Sequence, residues 1–170
     1  MFELRFYQQY ILDIIKNNNF TYLEIPISIG KTYIMVYYAN TLPNNKFLVV
    51  SPTIIKSNYE YYKKLDNIEH VTQYKLNDVH ISDYDVIIFD NILLDKKQFH
   101  KIIDFINSGK KIILLEVKFY DKLNVLNFFK KYNLRINIFT YDKLEHINKM
   151  YERLNKIKKI KDKLNNNINI

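Results

Sequence analysis

The hydrophobic and polar positions of this chain follow two alternating periods. Short continuous apolar runs, such as Lys46–Ser51 and Tyr84–Asp90, are typical of strands that are buried on both faces. Between such runs, apolar residues recur every three or four positions, as in Tyr7–Lys16, which is typical of helices. The pattern predicts helices at 7–16, 31–40, 54–65, 94–107, 121–131 and 143–164, and strands at 21–25, 46–51, 70–74, 84–90, 111–117 and 134–140.

This alternation predicts an α/β fold, in which a mostly parallel sheet is covered by helices on both faces. Ligands of such sheets bind at the carboxyl ends of the strands. Residues 1–141 form the predicted domain, and residues 142–170 form a basic amphipathic helix with a frayed tail. Gly109 lies between a predicted helix and a predicted strand, where we expect it to cap the helix.

Residues 23–32 (Leu-Glu-Ile-Pro-Ile-Ser-Ile-Gly-Lys-Thr) lie between a predicted strand and a predicted helix. They end like the phosphate-binding P-loop, G-x-x-x-x-G-K-S/T, although Ile25 stands at the first glycine position. In that motif, backbone N–H groups and the helix N-terminus hold phosphate oxygens. Lys31 is predicted to reach the β/γ-phosphates and Thr32 to bind Mg²⁺. The other predicted nucleotide contacts are Ile27, Ser28, Ile29 and Gly30. The alternative is an ordinary loop.

A second candidate position ends the apolar strand Val86–Asp90. An aspartate at the end of such a strand orients the Mg²⁺ that bridges the phosphates of a bound nucleotide. The alternative is a turn or helix-capping aspartate. Because a P-loop-like segment precedes it in the chain, we predict that Asp90 shares Mg²⁺ with Thr32.

The formal net charge of +8 and the isoelectric point of about 9.4 indicate an anionic partner such as nucleic acid. The alternative is compositional bias, because the chain is rich in Asn, Lys, Ile and Tyr, as expected of an AT-rich genome. The chain has no cysteine, which excludes disulfides and thiolate zinc sites. We expect neither a membrane span nor a signal peptide, and therefore a cytoplasmic protein. The AT-rich composition suits a virus, a plasmid or an AT-rich bacterium.

The order of these segments resembles the first RecA-like domain of superfamily 2 helicases and translocases. Residues 4–8 (Leu-Arg-Phe-Tyr-Gln) are similar to the segment whose glutamine contacts adenine, and residues 25–32 are similar to A-P-T-G-S-G-K-T. Residues 49–53 (Val-Val-Ser-Pro-Thr) resemble the V-x-P-T segment that touches the nucleic-acid backbone. Residues 71–74 followed by 84–90 resemble the T-Y segment and the D-E-x-H strand. The resemblance covers about residues 2 to 117.

This resemblance implies ATP and Mg²⁺ as cofactors, Gln8 as an adenine contact, and nucleic-acid contacts at Ser51, Pro52 and Thr53. It also has departures. The D-E-x-H segment is here Asp-Asn-Ile-Leu, so Asn91 stands where a glutamate polarises the attacking water. An amide cannot accept a proton, and loss of a general base costs about 10²–10⁴ in rate. The candidate catalytic positions are Lys31, Asp90 and Asn91.

Two further family elements do not match. The S-A-T segment is here Glu116-Val117-Lys118, and we expect no second RecA-like domain, and hence no arginine finger, in this chain. Residues 143–164 are apolar at every third or fourth position and carry a lysine-rich polar face. This helix is predicted to dock on its own domain, to form a coiled coil with another chain, as in a homodimer, or to lie against nucleic acid.

The leading hypothesis is a minimal helicase-type ATP-binding domain that associates with DNA or RNA and hydrolyses ATP weakly, or only with a partner that supplies a second domain. The alternative is a catalytically inactive helicase-like scaffold, a regulatory subunit of a replication, transcription or packaging complex. A third hypothesis is a small-molecule kinase or another P-loop enzyme, for which no lid or acceptor-site residues are recognisable.

Overall fold

The fold is taken from a computed structural model of the chain. The residues that it describes are 3–26, 29–53, 60–94, 96–115, 118–119, 130, 136–138 and 140–168. Several sequence predictions therefore lie outside the described residues: Ile27 and Ser28 of the loop, Glu116 and Val117 of the S-A-T position, residues 54–59, and most of the helix predicted at 121–131.

The elements alternate along the chain as the hydrophobic pattern predicts. The helices are α1 (Phe6–Asn17), α2 (Lys31–Asn40), α3 (Lys96–Asn107) and α4 (Tyr141–Ile168). The strands are β1 (Phe20–Glu24), β2 (Phe47–Ser51), β3 (Ile68–Thr72), β4 (Val86–Asp90), β5 (Leu93–Leu94), β6 (Lys111–Leu115), β7 (Lys118–Phe119) and β8 (Ile136–Ile138). Residues 60–62 are helical, and two 3₁₀ helices, Gln73–Asp78 and Ile81–Asp83, connect β3 to β4.

Six strands form one sheet in the order β3-β2-β4-β6-β1-β8, and each neighbouring pair is parallel. The carboxyl ends of β1, β2 and β4 therefore lie at one edge, which we call the site edge. Strand β6 separates β1 from β4. Since neighbouring strands are about 4.8 Å apart, the strand that leads into the P-loop-like segment and the strand that ends in Asp90 are about 10 Å apart.

The two faces of the sheet are packed by different helices. On one face, Val49, Ile88 and Ile113 join a buried cluster with side chains of α1, α2 and α4. On the other face, alternate strand residues join a cluster with α3, where the Phe89 and Phe105 rings are stacked with centroids 6.0 Å apart. Such double coverage explains why the strands are continuous apolar runs. The predicted α/β fold class, with a parallel sheet covered on both faces, is confirmed, and it is consistent with a RecA-like domain.

Helix α4 docks on the domain through its first turns only. Leu144 and Ile147 are buried beside α1, the Tyr7 N–H donates to Asn148 Oδ1 at 3.3 Å, and the Tyr151 ring stacks on Phe6 at 5.4 Å. The last two contacts join the first turn of α1 to Asn148 and Tyr151 of α4. From residue 152 to residue 162 every side chain is exposed, including the apolar Leu154, Ile157 and Ile160.

Several boundaries differ from the prediction. Helix α4 continues through residues 165–168, which were expected to fray, because no glycine or proline interrupts it. Leu94 belongs to β5, which pairs with β7 in a separate two-stranded ribbon, rather than to a helix. Gly109 has φ of +74° and donates its N–H to Ile106 O at 3.1 Å, as predicted for a helix cap. No helix of the described residues is both long enough and apolar enough to cross a membrane.

Candidate nucleotide-binding site

Gly30 is the residue at which the loop after β1 turns into α2. Its φ of +85° and ψ of +40° are left-handed, which favours glycine. A Cβ atom at this position would lie 2.8 Å from Gln8 Nε2. The Ile34 N–H donates to Gly30 O at 3.0 Å and closes the first turn of the helix. The N-terminus of a helix of this length attracts anions, because its first N–H groups have no partner within the helix.

Two isoleucines anchor the loop to the core. Ile25 and Ile29 are both buried in the cluster formed with α1 and α2. The sequence predicts that Ile25, Ile27 and Ile29 crowd the loop, and Ile27 lies outside the described residues. The side chains of Ile25 and Ile29 are buried in the core, so they anchor the loop.

Gln8 lies directly against the loop. Its Nε2 donates to Ile29 O at 3.0 Å, and its Oε1 accepts from the Arg5 N–H at 3.0 Å. The Tyr7 hydroxyl donates to the same Ile29 carbonyl at 3.4 Å. Gln8 therefore ties the start of α1 to the residue before Gly30. Contact with adenine stays a prediction for this residue.

Asp90 ends β4 and is followed by a turn of unusual geometry. Asn91 has φ of +52°, and its N–H donates to Leu115 O of β6 at 2.7 Å. Asparagine is one of the few residues that adopt left-handed backbone readily. The Asn91 side chain is exposed. The identity of residue 91 thus has a backbone reason as well as a chemical consequence.

Tyr62 connects Asp90 with Thr32. Its side chain is 2% exposed. Burial raises the pKa of Tyr62, the negative charge of Asp90 raises this pKa further, and interaction with the Thr32 hydroxyl opposes the rise. Thr32 lies in the first turn of α2 and Asp90 ends β4, so both residues that act on this phenol lie at the site edge.

The Tyr62 hydroxyl is buried without a hydrogen bond of good geometry among the described residues. Its contact with Thr32 is therefore looser than a hydrogen bond. Burying an unsatisfied hydroxyl costs about 1–3 kcal/mol, and native proteins seldom retain one unless water or a ligand supplies the partner.

The residues at this edge fit a magnesium nucleotide. Mg²⁺ is usually held by one or two carboxylates together with substrate phosphates, rather than by a cage of protein ligands. Thr32 and Asp90 offer a hydroxyl and one carboxylate, and the described residues contain no cluster of three or more metal-ligating side chains. The orphan hydroxyl of Tyr62 fits a metal-bound water or a phosphate oxygen.

The predicted nucleic-acid segment follows β2 at the same edge. Ser51 is buried, Pro52 is half-buried and Thr53 is exposed. Ser51 Oγ donates to Thr53 O at 2.8 Å and lies 2.7 Å from His70 Nε2. Burial lowers the pKa of His70. In this conformation Ser51 shapes the segment, while Pro52 and Thr53 are accessible to a partner.

Tyr62 and His70 are the site-edge residues that sequence reasoning missed. Tyr62 falls on the apolar positions of a predicted helix, where a tyrosine is expected to be core. His70 has no metal-ligand spacing with the other histidines. His70 reaches the site edge from β3, and Tyr62 reaches it from the helical residues 60–62. No local sequence motif predicts either position.

Comparisons with known proteins add little to this geometry. No family model matches the sequence, and no curated protein matches it. Among solved structures, Bacteroides Pif1 bound to single-stranded DNA is similar, with a TM-score of 0.42 and 16% sequence identity. The match covers 78% of this chain and 37% of that chain. At this TM-score the likeness to a helicase fold carries no argument about function, and it does not single out superfamily 2.

Proposed function

We propose that this chain is a nucleic-acid-associated P-loop protein that binds ATP with Mg²⁺ and hydrolyses it weakly, or only with a partner. One observation carries the proposal. A left-handed glycine at a helix N-terminus, Thr32 and Asp90 lie at one edge of the sheet, and the buried hydroxyl of Tyr62, whose pKa both Thr32 and Asp90 affect, has no hydrogen bond among the described residues.

Each residue has a distinct role in this proposal. The backbone N–H groups at Gly30 and the N-terminus of α2 bind the phosphates, and Lys31 neutralises the charge of the β- and γ-phosphates. Gln8 fixes the loop through its hydrogen bond to Ile29 O. Thr32 and Asp90 would hold Mg²⁺, which neutralises charge that develops on the phosphates. Asn91 offers no proton acceptor to an attacking water, which accounts for weak hydrolysis.

The first test is ATP affinity, measured by titration calorimetry with Mg²⁺ present. The variant Lys31→Ala loses a charge-assisted contact and should bind about tenfold or more weakly, because such contacts contribute about 1.5–3 kcal/mol. Lys16→Ala removes an exposed lysine from the last turn of α1 and should bind as the wild type does. Wild-type binding weaker than millimolar would contradict the proposal.

Association with nucleic acid is supported by the net charge of +8 and by the accessible Pro52 and Thr53 at the site edge. Mobility shifts of a single-stranded oligonucleotide across a salt series should show affinity that falls steeply with salt. Affinity that does not change with salt would exclude the phosphate contacts on which this part of the proposal depends.

A catalytically inactive scaffold is the alternative function, and Asn91 favours it. The residue lacks a carboxylate, and its left-handed backbone gives a reason to retain asparagine. Turnover separates the two functions. ATP hydrolysis that is stimulated by nucleic acid and lost in Asp90→Ala would reject the scaffold.

The distal half of α4 supports a protein contact as part of the proposal. Leu154, Ile157 and Ile160 are each more than half exposed and recur every three residues. A second copy or a subunit that supplies the second domain would bury them. Sedimentation velocity over a concentration series tests for self-association, and Leu154→Glu with Ile157→Glu should abolish it if this face is used.

A further inference from the structure

Tyr62 has a feature that packing alone does not explain. Its ring lies in the core, while its hydroxyl is buried without a well-formed hydrogen bond among the described residues. A phenylalanine would fill the same volume without burying a polar atom. A tyrosine therefore destabilises the fold here unless another molecule forms a hydrogen bond with its hydroxyl.

The surroundings of the hydroxyl indicate which molecule this is. Tyr62 packs on His70, which is bonded to Ser51, and Ser51 and Asp90 directly follow the paired residues Val50 and Phe89 of β2 and β4. Asp90 and the Thr32 hydroxyl, which are assigned to Mg²⁺ in the proposed function, both act on the pKa of this phenol. Bound Mg²⁺ usually keeps several waters. A phenol can accept a hydrogen bond from such a water or donate one to a phosphate oxygen.

The ring of Tyr62 also contacts a second residue, His70. It packs edgewise on His70, with centroids 5.1 Å apart and an interplanar angle of 70°. His70 Nε2 lies 2.7 Å from Ser51 Oγ, which donates to Thr53 O. Because the serine hydroxyl has one proton and a carbonyl can only accept, the geometry assigns the proton of the His70–Ser51 bond to Nε2.

These contacts form one connected series from Thr32 and Asp90, through Tyr62 and His70, to the segment 51–53. We propose that Tyr62 is a positioning residue, whose hydroxyl binds the water shell of Mg²⁺ or a phosphate oxygen and thereby links nucleotide occupancy to the conformation of Ser51–Thr53. This inference rests on the proposed function and names a regulation of the same site.

The decisive variant is Tyr62→Phe, because it keeps the ring against His70 and removes only the hydroxyl. Tyr84→Phe is its matched control. Tyr84 is also buried, but its hydroxyl donates to Glu69 Oε2 at 2.6 Å, toward the amino ends of β3 and β4 and therefore away from the site edge. Three quantities are measured for each protein: the melting temperature without ligand, the affinity for a non-hydrolysable ATP analogue with Mg²⁺ or with EDTA, and the affinity for a single-stranded DNA oligonucleotide with and without that analogue.

The expected changes have opposite signs. Tyr62→Phe should keep or raise the melting temperature of the free protein, since it removes an unsatisfied buried hydroxyl, whereas Tyr84→Phe should lower it. Affinity for the analogue with Mg²⁺ should fall about three- to tenfold in Tyr62→Phe. Affinity in EDTA should not change if the hydroxyl binds the water shell of Mg²⁺, and it should fall by the same factor if the hydroxyl binds a phosphate oxygen. The effect of the analogue on DNA affinity should shrink toward none in Tyr62→Phe and in His70→Phe, which keeps a ring but loses the bond to Ser51.

The outcomes separate the inference from the proposed function. If the wild type does not bind the analogue, the proposed function fails, and the inference fails with it. If the wild type binds the analogue and Tyr62→Phe binds it equally well with Mg²⁺, the inference alone is overturned. A lower melting temperature of ligand-free Tyr62→Phe would show that the hydroxyl has an internal partner, which also overturns it.

Discussion

Gly30 and Gly109 both have left-handed backbone, but their surroundings differ. A Cβ at Gly30 would lie 2.8 Å from Gln8 Nε2, whereas a Cβ at Gly109 would have no atom within 4 Å. Alanine pays about 1–2 kcal/mol for the left-handed conformation at either position. Gly30→Ala must also displace the amide that donates to Ile29 O, which adds about 1 kcal/mol.

We therefore expect Gly30→Ala to lower the free energy of unfolding by about 2–3 kcal/mol and Gly109→Ala by about 1–2 kcal/mol. Urea denaturation measures both. ATP affinity should fall at least about tenfold in Gly30→Ala, because the loop must move, and should not change in Gly109→Ala. If both variants have the same free energy of unfolding and bind ATP as the wild type does, the contact of Gln8 with the loop contributes neither to stability nor to ATP binding.

Asn91 is the residue at which chemistry and backbone geometry conflict. Asn91→Glu introduces a general base at the position where the resembling helicases carry glutamate, but glutamate tolerates φ of +52° less well than asparagine. We expect ATP hydrolysis to rise about tenfold or more. The free energy of unfolding should fall by about 0.5–1 kcal/mol, and nucleotide affinity should stay within a few-fold.

Single-turnover hydrolysis and urea denaturation check this prediction, with Asn91→Gly as the control. Glycine accepts the left-handed backbone and brings no carboxylate, so it should leave hydrolysis unchanged. If the wild type already hydrolyses ATP at an ordinary helicase rate, another residue is the base. If Asn91→Glu hydrolyses ATP no faster than the wild type while it still binds nucleotide, the result favours the scaffold function over the ATPase.

Some residues of the candidate site can be identified from the sequence, and others cannot. Gly30, Lys31, Thr32 and Asp90 are predictable, because a short motif or a strand end fixes each position locally. The position of Tyr62 depends on its packing in the core and against His70, which no short motif records. The closeness of Gln8 to the loop is also such a long-range contact, and the prediction for Gln8 concerned adenine rather than the loop backbone.

At the scale of elements, the central strands were predictable because both of their faces are covered. Full burial on two faces produces runs such as Phe47–Ser51, which are hard to mistake. Strands β5 and β7 have two residues each, which is too short for any period. The edge strand β3 has only one buried residue, so its apolar signal is weak and its predicted boundaries were shifted by two residues.

Helix α4 contains a buried leucine and an exposed leucine, so the effect of burial on stability can be compared within one helix. Leu144 is 4% exposed beside α1, whereas Leu154, ten positions later in the same helix, is 52% exposed. Leu144→Ala should lower the free energy of unfolding by about 2–4 kcal/mol, because it leaves a cavity in the core. Leu154→Ala should change it by less than about 0.5 kcal/mol at low protein concentration.

Thermal or urea unfolding of the two variants measures this contrast, and both substitutions have the same effect on helix propensity. A large loss of stability in Leu154→Ala that grows with protein concentration would reveal a second copy on the distal face. A small loss in Leu144→Ala would mean that α4 does not dock on α1 in solution.

For the whole molecule, the positive charge is concentrated at one end of the chain. Residues 153–170 contain six basic residues and one acidic residue, a net charge of +5 out of the total of +8. Residues 148 and 151 of α4 contact the first turn of α1, which also carries Gln8, the residue that contacts the loop before Gly30. The basic half of α4 follows directly after these contacts along the chain.

This concentration of charge predicts which lysines bind nucleic acid. Lys156 and Lys159 are exposed on the distal half of α4, while Lys16 and Lys46 are exposed near the amino ends of β1 and β2, at the opposite edge of the sheet. Binding of a single-stranded oligonucleotide across a salt series should weaken in the Lys156→Gln/Lys159→Gln variant. The slope of log affinity against log salt should decrease by up to about 1.4, since each lost phosphate contact contributes about 0.7 for single strands.

The Lys16→Gln/Lys46→Gln variant removes the same charge and should keep the slope of the wild type. ATP affinity should be unchanged in both variants, because none of the four lysines lies in the loop or in the first turn of α2. If both variants lower the slope equally, the chain attracts nucleic acid through its overall charge, without a defined surface. If only the Lys16→Gln/Lys46→Gln variant lowers it, nucleic acid binds at the edge away from Thr53, and the assignment of residues 51–53 is wrong.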